Sequence, residues 1–395
     1  MTVSVAATPS TGSLLPVYKR FPVEIVGGEG VRLFGADGRV YLDFTSGIAV
    51  NALGYGDAAL AQAMRDALES GLVHTSNLYD TAPARELADA LVSRSFADCA
   101  FFCNSGAEAN EGAFKFARRW AKATRGPEAN EIIALRGSFH GRLFASLAAT
   151  DRPAYRAPFR PLAPGVTIAE RDIDTLEAAL SGGTVAAVIV EPVQGEGGVR
   201  VLPTEFLRAL RALTKRHGVA LIFDEVQCGM GRTGRFFAYE HSRVEPDMLT
   251  LAKPLAGGLP MGAVLMTREI ADTIKPGDHA TTFGGGPFVA SVAKHVVERL
   301  AAPEMLEHVT TTGAWLGAEL DALAERSPRI RAVRGVGYMW GIDVTCPAAI
   351  VTARALDLGL LVCSAGEHTI RLVPPLVMTQ RELAEGLGLL EEAMR

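Results

Sequence analysis

Short apolar runs alternate with amphipathic stretches through the middle of the chain, and this alternation predicts the architecture. The runs at 100–102, 131–135, 185–190, 219–223, 248–251 and 263–266 are predominantly apolar and contain no internal Gly or Pro. Their length and composition are those of strands buried on both faces. Between several of them, 83–94, 107–122, 172–180 and 203–217 have helical composition. Strands alternating with helices predict an α/β fold with a mostly parallel sheet flanked by helices. Nearer the start, 31–43 alternates around Asp37-Gly38, the signature of a hairpin. A long helical region runs from Gly284 through 303–325, and then the pattern changes. Segments 333–344, 360–363 and 369–373 read as strands, and 348–356 and 379–394 as helices, a small α+β unit. The expected division is an N-terminal segment, 1–51, packing with the small domain; a large domain, 52–300; and a C-terminal small domain, 301–395.

Composition narrows the function classes. With 395 residues, 48% of them apolar and 21% charged, the chain can bury a core shared by two or three subdomains. A net charge of −5 without a Lys/Arg cluster argues against a nucleic-acid surface, so anionic ligands would need individual arginines. The apolar runs fall short of a membrane span. The first 13 residues, expected to be disordered in the main, carry neither a basic n-region nor an apolar h-region. Five cysteines, an odd number without a CxxC pair, read as free thiols in a reducing compartment, which leads to a cytoplasmic expectation.

In a parallel α/β sheet a ligand lies outside the carboxyl ends of the strands. The residues just beyond the apolar runs are Asn104-Ser105-Gly106, Phe139-His140-Gly141-Arg142, Glu191-Pro192, Asp224-Glu225-Val226-Gln227 and Lys253. A carboxylate at Asp224, ending a buried run, needs a positive partner. It is either a helix cap or structural ion pair, or the partner of a protonated pyridine nitrogen. Lys253 is either a snorkelling surface lysine or a desolvated amine able to form a Schiff base. Its segment, Ala252–Gly258, holds no other charge. Asp224 and Lys253 on successive strand ends would put a pyridinium partner and an imine at opposite ends of one ring. Ser105, Gly106 and Ala107 open a helix with Glu108 three residues after Ser105, either an ordinary cap or a phosphate cradle. Phe139 is a core aromatic or a ring-stacking one, and Arg142 a candidate carboxylate fork. Gly229-Met230-Gly231-Arg232-Thr233-Gly234 matches GxGxxG, but Asp224 to Cys228 separate it from the strand and Glu240 lies too close to serve as the ribose acid. A nicotinamide site is therefore a poor reading. No P-loop motif occurs and no His/Cys/carboxylate set has metal-ligand spacing.

Together these residues resemble the class III (subgroup II) aminotransferases of pyridoxal-phosphate fold type I, and within them the acetylornithine aminotransferase family. The resemblance runs from about Leu15 to the end and rests on 104–110, 139–142, 191–198, 224–234, 252–258 and 281–285. It implies pyridoxal 5'-phosphate as cofactor and a homodimer with shared active sites. Lys253 would hold the cofactor and relay protons, and Asp224 would pair with the ring nitrogen. Gln227 would approach the ring hydroxyl, Val226 and Phe139 would sandwich the ring, and Ser105, Gly106 and Ala107 would cradle the phosphate. Thr282 would reach the phosphate of the partner subunit. Arg371 would bind the carboxylate beside the reacting amine, Arg142 the distal carboxylate, with Tyr18 nearby, and Glu196 would neutralise Arg371 when no carboxylate is there. The implied reaction moves the terminal amine of N-acetylornithine to 2-oxoglutarate, giving N-acetylglutamate semialdehyde and glutamate, in arginine biosynthesis. Ornithine, an acylated lysine, succinyl-diaminopimelate and γ-aminobutyrate are alternative donors, and a non-catalytic cofactor-binding module is a remote one. Gly286, Cys228 and Ala107 depart from common family residues without touching the expected machinery.

Overall fold

The structure, a computed structural model, describes residues 13–395, so the expectations about the first twelve residues lie outside it. Its centre is a seven-stranded sheet in the spatial order Cys99–Cys103, Gly262–Met266, Met248–Leu251, Ala220–Asp224, Val185–Val190, Glu131–Leu135, Val166–Ala169. Gly262–Met266 runs antiparallel to both neighbours, and the remaining pairings are parallel. The fold class is the α/β class expected. The strand at Val166–Ala169 was not foreseen, because its apolar residues are few and it lies at the sheet edge.

The inner strands are mostly apolar, with Glu131, Asp224 and Thr250 as exceptions, because both faces are covered. Ile133, Leu135, Val188, Val190, Leu221 and Phe223 pack into one apolar cluster. The alternate residues Ile132, Ala134, Ala187, Ile189, Ala220 and Ile222 join a second, with Phe114, Phe116 and Trp120 from the helix Gly106–Arg125. The period of two along each strand thus feeds two separate cores.

The carboxyl-terminal part forms a second sheet, ordered Ile330–Val336, Met339–Val344, Thr369–Leu372, Cys363–Ser364. The expected single strand over 333–344 is a hairpin turning at Gly337-Tyr338, where Gly337 has φ +56. The 360–363 run divides between two sheets. Leu360–Leu361 pairs parallel with Val40–Asp43, and Cys363–Ser364 pairs with Thr369–Leu372. The hairpin around Asp37-Gly38 is present, with a further strand, Ile25–Glu29, beside it. The helix Ala58–Glu69 and that first strand were missed in the pattern. Five of the twelve helix residues are alanine and only three are large and apolar, Leu60, Met64 and Leu68, so its face is weakly marked. Among the described residues no helix is long and apolar enough to cross a membrane.

Candidate active site

A cavity of about 420 Å³ opens at the carboxyl edge of the central sheet. Most of the residues singled out from the sequence line it: Ser105, Gly106, Ala107, Phe139, Arg142, Glu196, Asp224, Val226, Gln227 and Lys253. The parallel strands deliver them from their carboxyl ends. The reversed strand Gly262–Met266 delivers its amino end to the same edge, so Gly258, Leu259, Pro260 and Met261 also line the cavity.

Asp224 is the last residue of its strand and is buried. One carboxylate oxygen accepts from the Val226 amide at 3.0 Å. The other accepts from Asn110 Nδ2 and lies against His140 Nδ1, both at 2.8 Å. Asn110 is in turn fixed by donating to the His140 carbonyl at 2.7 Å and accepting from Thr250 Oγ1 at 2.8 Å. The carboxylate is therefore held in one orientation by partners on both oxygens. Asn110, His140 and Thr250 received no role in the sequence reading. The readable signal was position: Asn110 lies one and a half turns into the helix that opens at Ser105, on the face packed against the sheet.

Glu191 follows the fully buried strand Val185–Val190, accepts from the Phe139 amide at 2.9 Å, and is pushed up to about 7 by burial, with His140 opposing and Asp224 adding. Lys253 sits in a neutral stretch at the end of Met248–Leu251. Burial lowers its ammonium below the usual lysine value and the Arg371 guanidinium lowers it further, against Asp224, Glu196 and Glu191.

At the start of the helix Gly106–Arg125, Ser105 Oγ accepts from the Glu108 amide at 3.2 Å, and the Glu108 carboxylate accepts from the Asn104 amide at 2.8 Å. The cap is the one the sequence pattern signals, displaced by one residue on its return arm. It leaves the Gly106 and Ala107 N–H groups without intrahelical acceptors beside the cavity. A Cβ on Gly106 would lie 2.7 Å from a Val226 methyl, so this helix start approaches Val226 as closely as it does only because residue 106 is glycine.

Arg371 is almost wholly buried, and its Nη1 meets Glu196 Oε1 at 2.5 Å and Gln227 Oε1 at 3.2 Å. Its Nε faces Cys363 Sγ at 3.4 Å. Burial opposes the Arg371 charge, but Cys363 and Glu196 more than offset it and hold the guanidinium above its ordinary value. Gln227 thus contacts Arg371 in this structure. Arg142 makes no ion pair among the described residues; its guanidinium stacks on the Tyr155 ring, 3.7 Å from the centroid.

Three of the expected residues do not line the cavity. Arg371 meets it only through Glu196 and Gln227, which do. Tyr18 is exposed and does not line the cavity. Thr282 lies on a separate groove with His74, Asn77, Phe101 and Phe102. The site combines an anion cradle at a helix start, a carboxylate fixed across a slot, an apolar wall at Val226 and an aromatic at Phe139, and a buried amine. This set fits a flat phosphorylated aldehyde with a basic ring nitrogen. Among the described residues no cluster of His, Cys, Asp and Glu is placed to hold a metal ion.

A family model described as Aminotransferase class-III matches residues 16–394. An acetylornithine aminotransferase of Methanocaldococcus jannaschii is 44% identical over 379 residues, covering 96% of this chain and 95% of that protein. One of Xanthomonas axonopodis pv. citri is 45% identical over 387 residues, covering 96% of this chain and 94% of that protein. Among solved structures, N-acetylornithine aminotransferase from Stenotrophomonas maltophilia K279a has a TM-score of 0.84 at 38% identity, covering 95% of this chain and 96% of that one. The ornithine aminotransferase from Toxoplasma gondii ME49 has a TM-score of 0.93 at 29% identity, covering 97% and 92%.

Proposed function

Because the chain belongs to the class-III aminotransferases, enzymes that use pyridoxal phosphate, we propose that it moves the terminal amino group of N-acetylornithine to 2-oxoglutarate. The products are N-acetylglutamate semialdehyde and glutamate, which places the reaction in arginine biosynthesis. The observation that carries this reading is the pair at 2.5 Å between Glu196, which lines the pocket, and the buried Arg371, while the arginine that lines the pocket itself, Arg142, has no acidic partner among the described residues. An enzyme that must accept a carboxylate beside the reacting amine in one half-reaction, and none there in the other, needs a removable counter-ion at one arginine. It also needs a permanently available one further out. The names of the relatives support the same donor.

The cofactor would be held by Lys253, by Asp224 at the ring nitrogen, by Val226 and Phe139 at its faces, and by Ser105, Gly106 and Ala107 at its phosphate. When bound, it supplies the electron sink that lets a C–H bond beside the transferred nitrogen be broken. Asp224, oriented by Asn110 and His140, keeps a negative charge where a ring N–H⁺ is needed. Lys253 Nζ, its proton affinity reduced by burial, would take the proton from the carbon bearing the transferred nitrogen and deliver it to the carbon on the far side of that nitrogen. Arg142 binds the distal carboxylate of either substrate. For N-acetylornithine, Glu196 stays on Arg371. For glutamate, the α-carboxylate takes its place and Glu196 turns out.

We further propose a homodimer in a cytoplasmic setting. Leu78, Tyr79 and Phe283 are large and exposed around the groove that holds Thr282, which supports a second copy covering this face and receiving Thr282 at its phosphate site. Sedimentation equilibrium would return a dimer mass.

The test of the donor is kcat/KM with 2-oxoglutarate across N-acetylornithine, ornithine, an Nε-acylated lysine, succinyl-diaminopimelate and γ-aminobutyrate. N-acetylornithine is expected to lead. Leadership by another donor reassigns the substrate within the family, and no turnover with any would favour a non-catalytic cofactor-binding module.

A further inference from the structure

Arg371 and its counter-ion come from different parts of the chain, and their register is set by a structure outside the pocket. In the carboxyl-terminal sheet Arg334 pairs across to Gly341, and Gly341 pairs across to Arg371. Residues directly opposite on neighbouring strands share a face. Arg334 and Arg371 are therefore two posts on one side of the sheet, with a glycine between them.

The turn carrying Glu196 sits in that gap. A Cβ on Gly341 would lie 2.9 Å from Val199 Cβ and 3.0 Å from the Gly198 carbonyl, so the turn rests on the bare backbone. On one side Arg371 takes the Glu196 carboxylate. On the other, Arg334 Nε donates to the Gly198 carbonyl at 2.6 Å. Arg334 is itself locked: its two terminal nitrogens donate to the two oxygens of Asp343 at 2.7 and 2.8 Å, and Thr369 Oγ1 donates to the same carboxylate at 2.5 Å. The neighbouring carbonyls are gripped as well. Arg152 donates to that of Glu196, and Arg200 Nε to that of Gly197 at 3.0 Å. Three consecutive carbonyls thus each accept from a guanidinium, and such charge-assisted bonds are the stronger kind.

We propose that Arg334 is a positioning residue for the Glu196 exchange: the Arg334–Gly341–Arg371 row seats the Gly195–Val199 turn so that its backbone stays fixed and Glu196 leaves Arg371 by side-chain rotation alone. This rests on the reading of Glu196 as the removable counter-ion of Arg371. A fixed backbone makes the exchange cheap in conformational entropy and returns Glu196 to the same place each cycle. A loose turn lets Glu196 drift, leaving Arg371 uncompensated in the half-reaction that brings no adjacent carboxylate.

The variants are Arg334→Lys, whose single ammonium cannot reproduce the fork on both Asp343 oxygens together with the separate Nε bond to Gly198, and Asp343→Asn, which leaves Arg334 in place but unlocks it. Each half-reaction is followed separately by single-turnover spectroscopy of the holoenzyme. The ω-amine half-reaction is expected to lose about tenfold in kcat/KM, the size of one charge-assisted hydrogen bond. The glutamate half-reaction should hold or improve, because its carboxylate displaces a less firmly placed Glu196. General structural damage would lower both alike, so equal losses, or no loss, overturn the proposal. Hydrogen exchange gives a readout independent of turnover: amides of 197–199 should exchange faster in both variants while the central sheet is unchanged, and unchanged protection there also overturns it. Glu196→Ala run in parallel separates the two readings. If Glu196→Ala gives no split between half-reactions, the counter-ion reading has failed. If it does and the Arg334 and Asp343 variants do not, only the positioning role has failed.

Discussion

Replacing Glu196 with alanine isolates the charge exchange on which the two-substrate reading depends. The Arg371 side chain is 2% exposed and Glu196 is 23% exposed. Removing one partner of a buried ion pair costs about 3–5 kcal/mol when the remaining charge has nothing else. Here Gln227 Oε1 and Cys363 Sγ still face the guanidinium, and Glu196 is partly open to water, so the loss is nearer to about 2 kcal/mol. That is a factor of about 30 in the half-reaction with N-acetylornithine, where Arg371 would stand without a counter-ion. With glutamate the incoming α-carboxylate supplies the missing charge and no longer has to expel Glu196, so kcat/KM should be maintained or rise. Stopped-flow absorbance of the bound cofactor reads each half-reaction in a single turnover. Losses of equal size in both directions would refute the exchange, as would a loss confined to the glutamate side.

Three further outcomes follow from the same geometry. Gly106→Ala drives a Cβ to 2.7 and 2.9 Å from the two Val226 methyl groups, so Val226 must move off the ring face. Overpacking of this size costs about 1–3 kcal/mol, and reconstitution titrations of the apoenzyme should show cofactor affinity reduced about tenfold. Arg142→Ala removes the guanidinium stacked on Tyr155 and should raise KM for both carboxylate-bearing substrates by an order of magnitude, about 10-fold, without changing the turnover of a simple amine that lacks a distal carboxylate. Glu225 is pushed up to about 8, chiefly by burial, while accepting from the Ala238 and Tyr239 amides. A carboxyl raised in the folded state stabilises it fully below its unfolded value and loses that contribution as pH climbs through about 8. Glu225→Gln, which cannot accept both amides equally, should melt lower than wild type at pH 5 but decline less toward pH 9; parallel melting curves across that range would contradict the assignment.

The sequence revealed most about the strand ends and least about what holds them. Asp224 and Lys253 were legible because a charge closing an apolar run is conspicuous, and the helix start at Ser105 because capping residues have a spacing. Asn110 and Thr250 were not, since each is an ordinary residue inside a helix or strand, and only the fold brings them within 2.8 Å of each other and Asn110 that close to Asp224. The reversed strand Gly262–Met266 was foreseen as a strand but not in direction, because an apolar run buried on both faces reads the same either way. The turn between Ile330–Val336 and Met339–Val344 was hidden for a different reason: Gly337-Tyr338 sits in a stretch whose apolar alternation continues across it. Tyr338 is itself buried, its hydroxyl donating to the Met378 carbonyl at 2.6 Å, so even the turn looks like core. Gln227 shows how a motif can locate a side chain without fixing its partner. It lines the pocket as expected, yet its contact here is with Arg371.

The electrostatics join the counter-ion at Arg371 to the amine at Lys253. Burial lowers the Lys253 ammonium most, and Arg371 lowers it next, while Glu196 works in the opposite direction. A neutral amine is what must add to an aldehyde and later accept a proton from carbon, so the depression serves the chemistry. Its size should nonetheless remain the same in both half-reactions if, as proposed, one residue performs the same transfer in each. If Glu196 left Arg371 and nothing replaced it, the full guanidinium charge would bear on Lys253 and drive its proton affinity down further. If Glu196 stayed while a second carboxylate entered, the affinity would rise. One-for-one replacement of the Glu196 carboxylate by the α-carboxylate of glutamate keeps one negative charge against Arg371 throughout, so the field at Lys253 stays nearly constant although the two substrates differ in charge distribution. On the proposed reading, the exchange at Arg371 is a device for selectivity and, by the same charge balance, a means of keeping one lysine suited to two reactions.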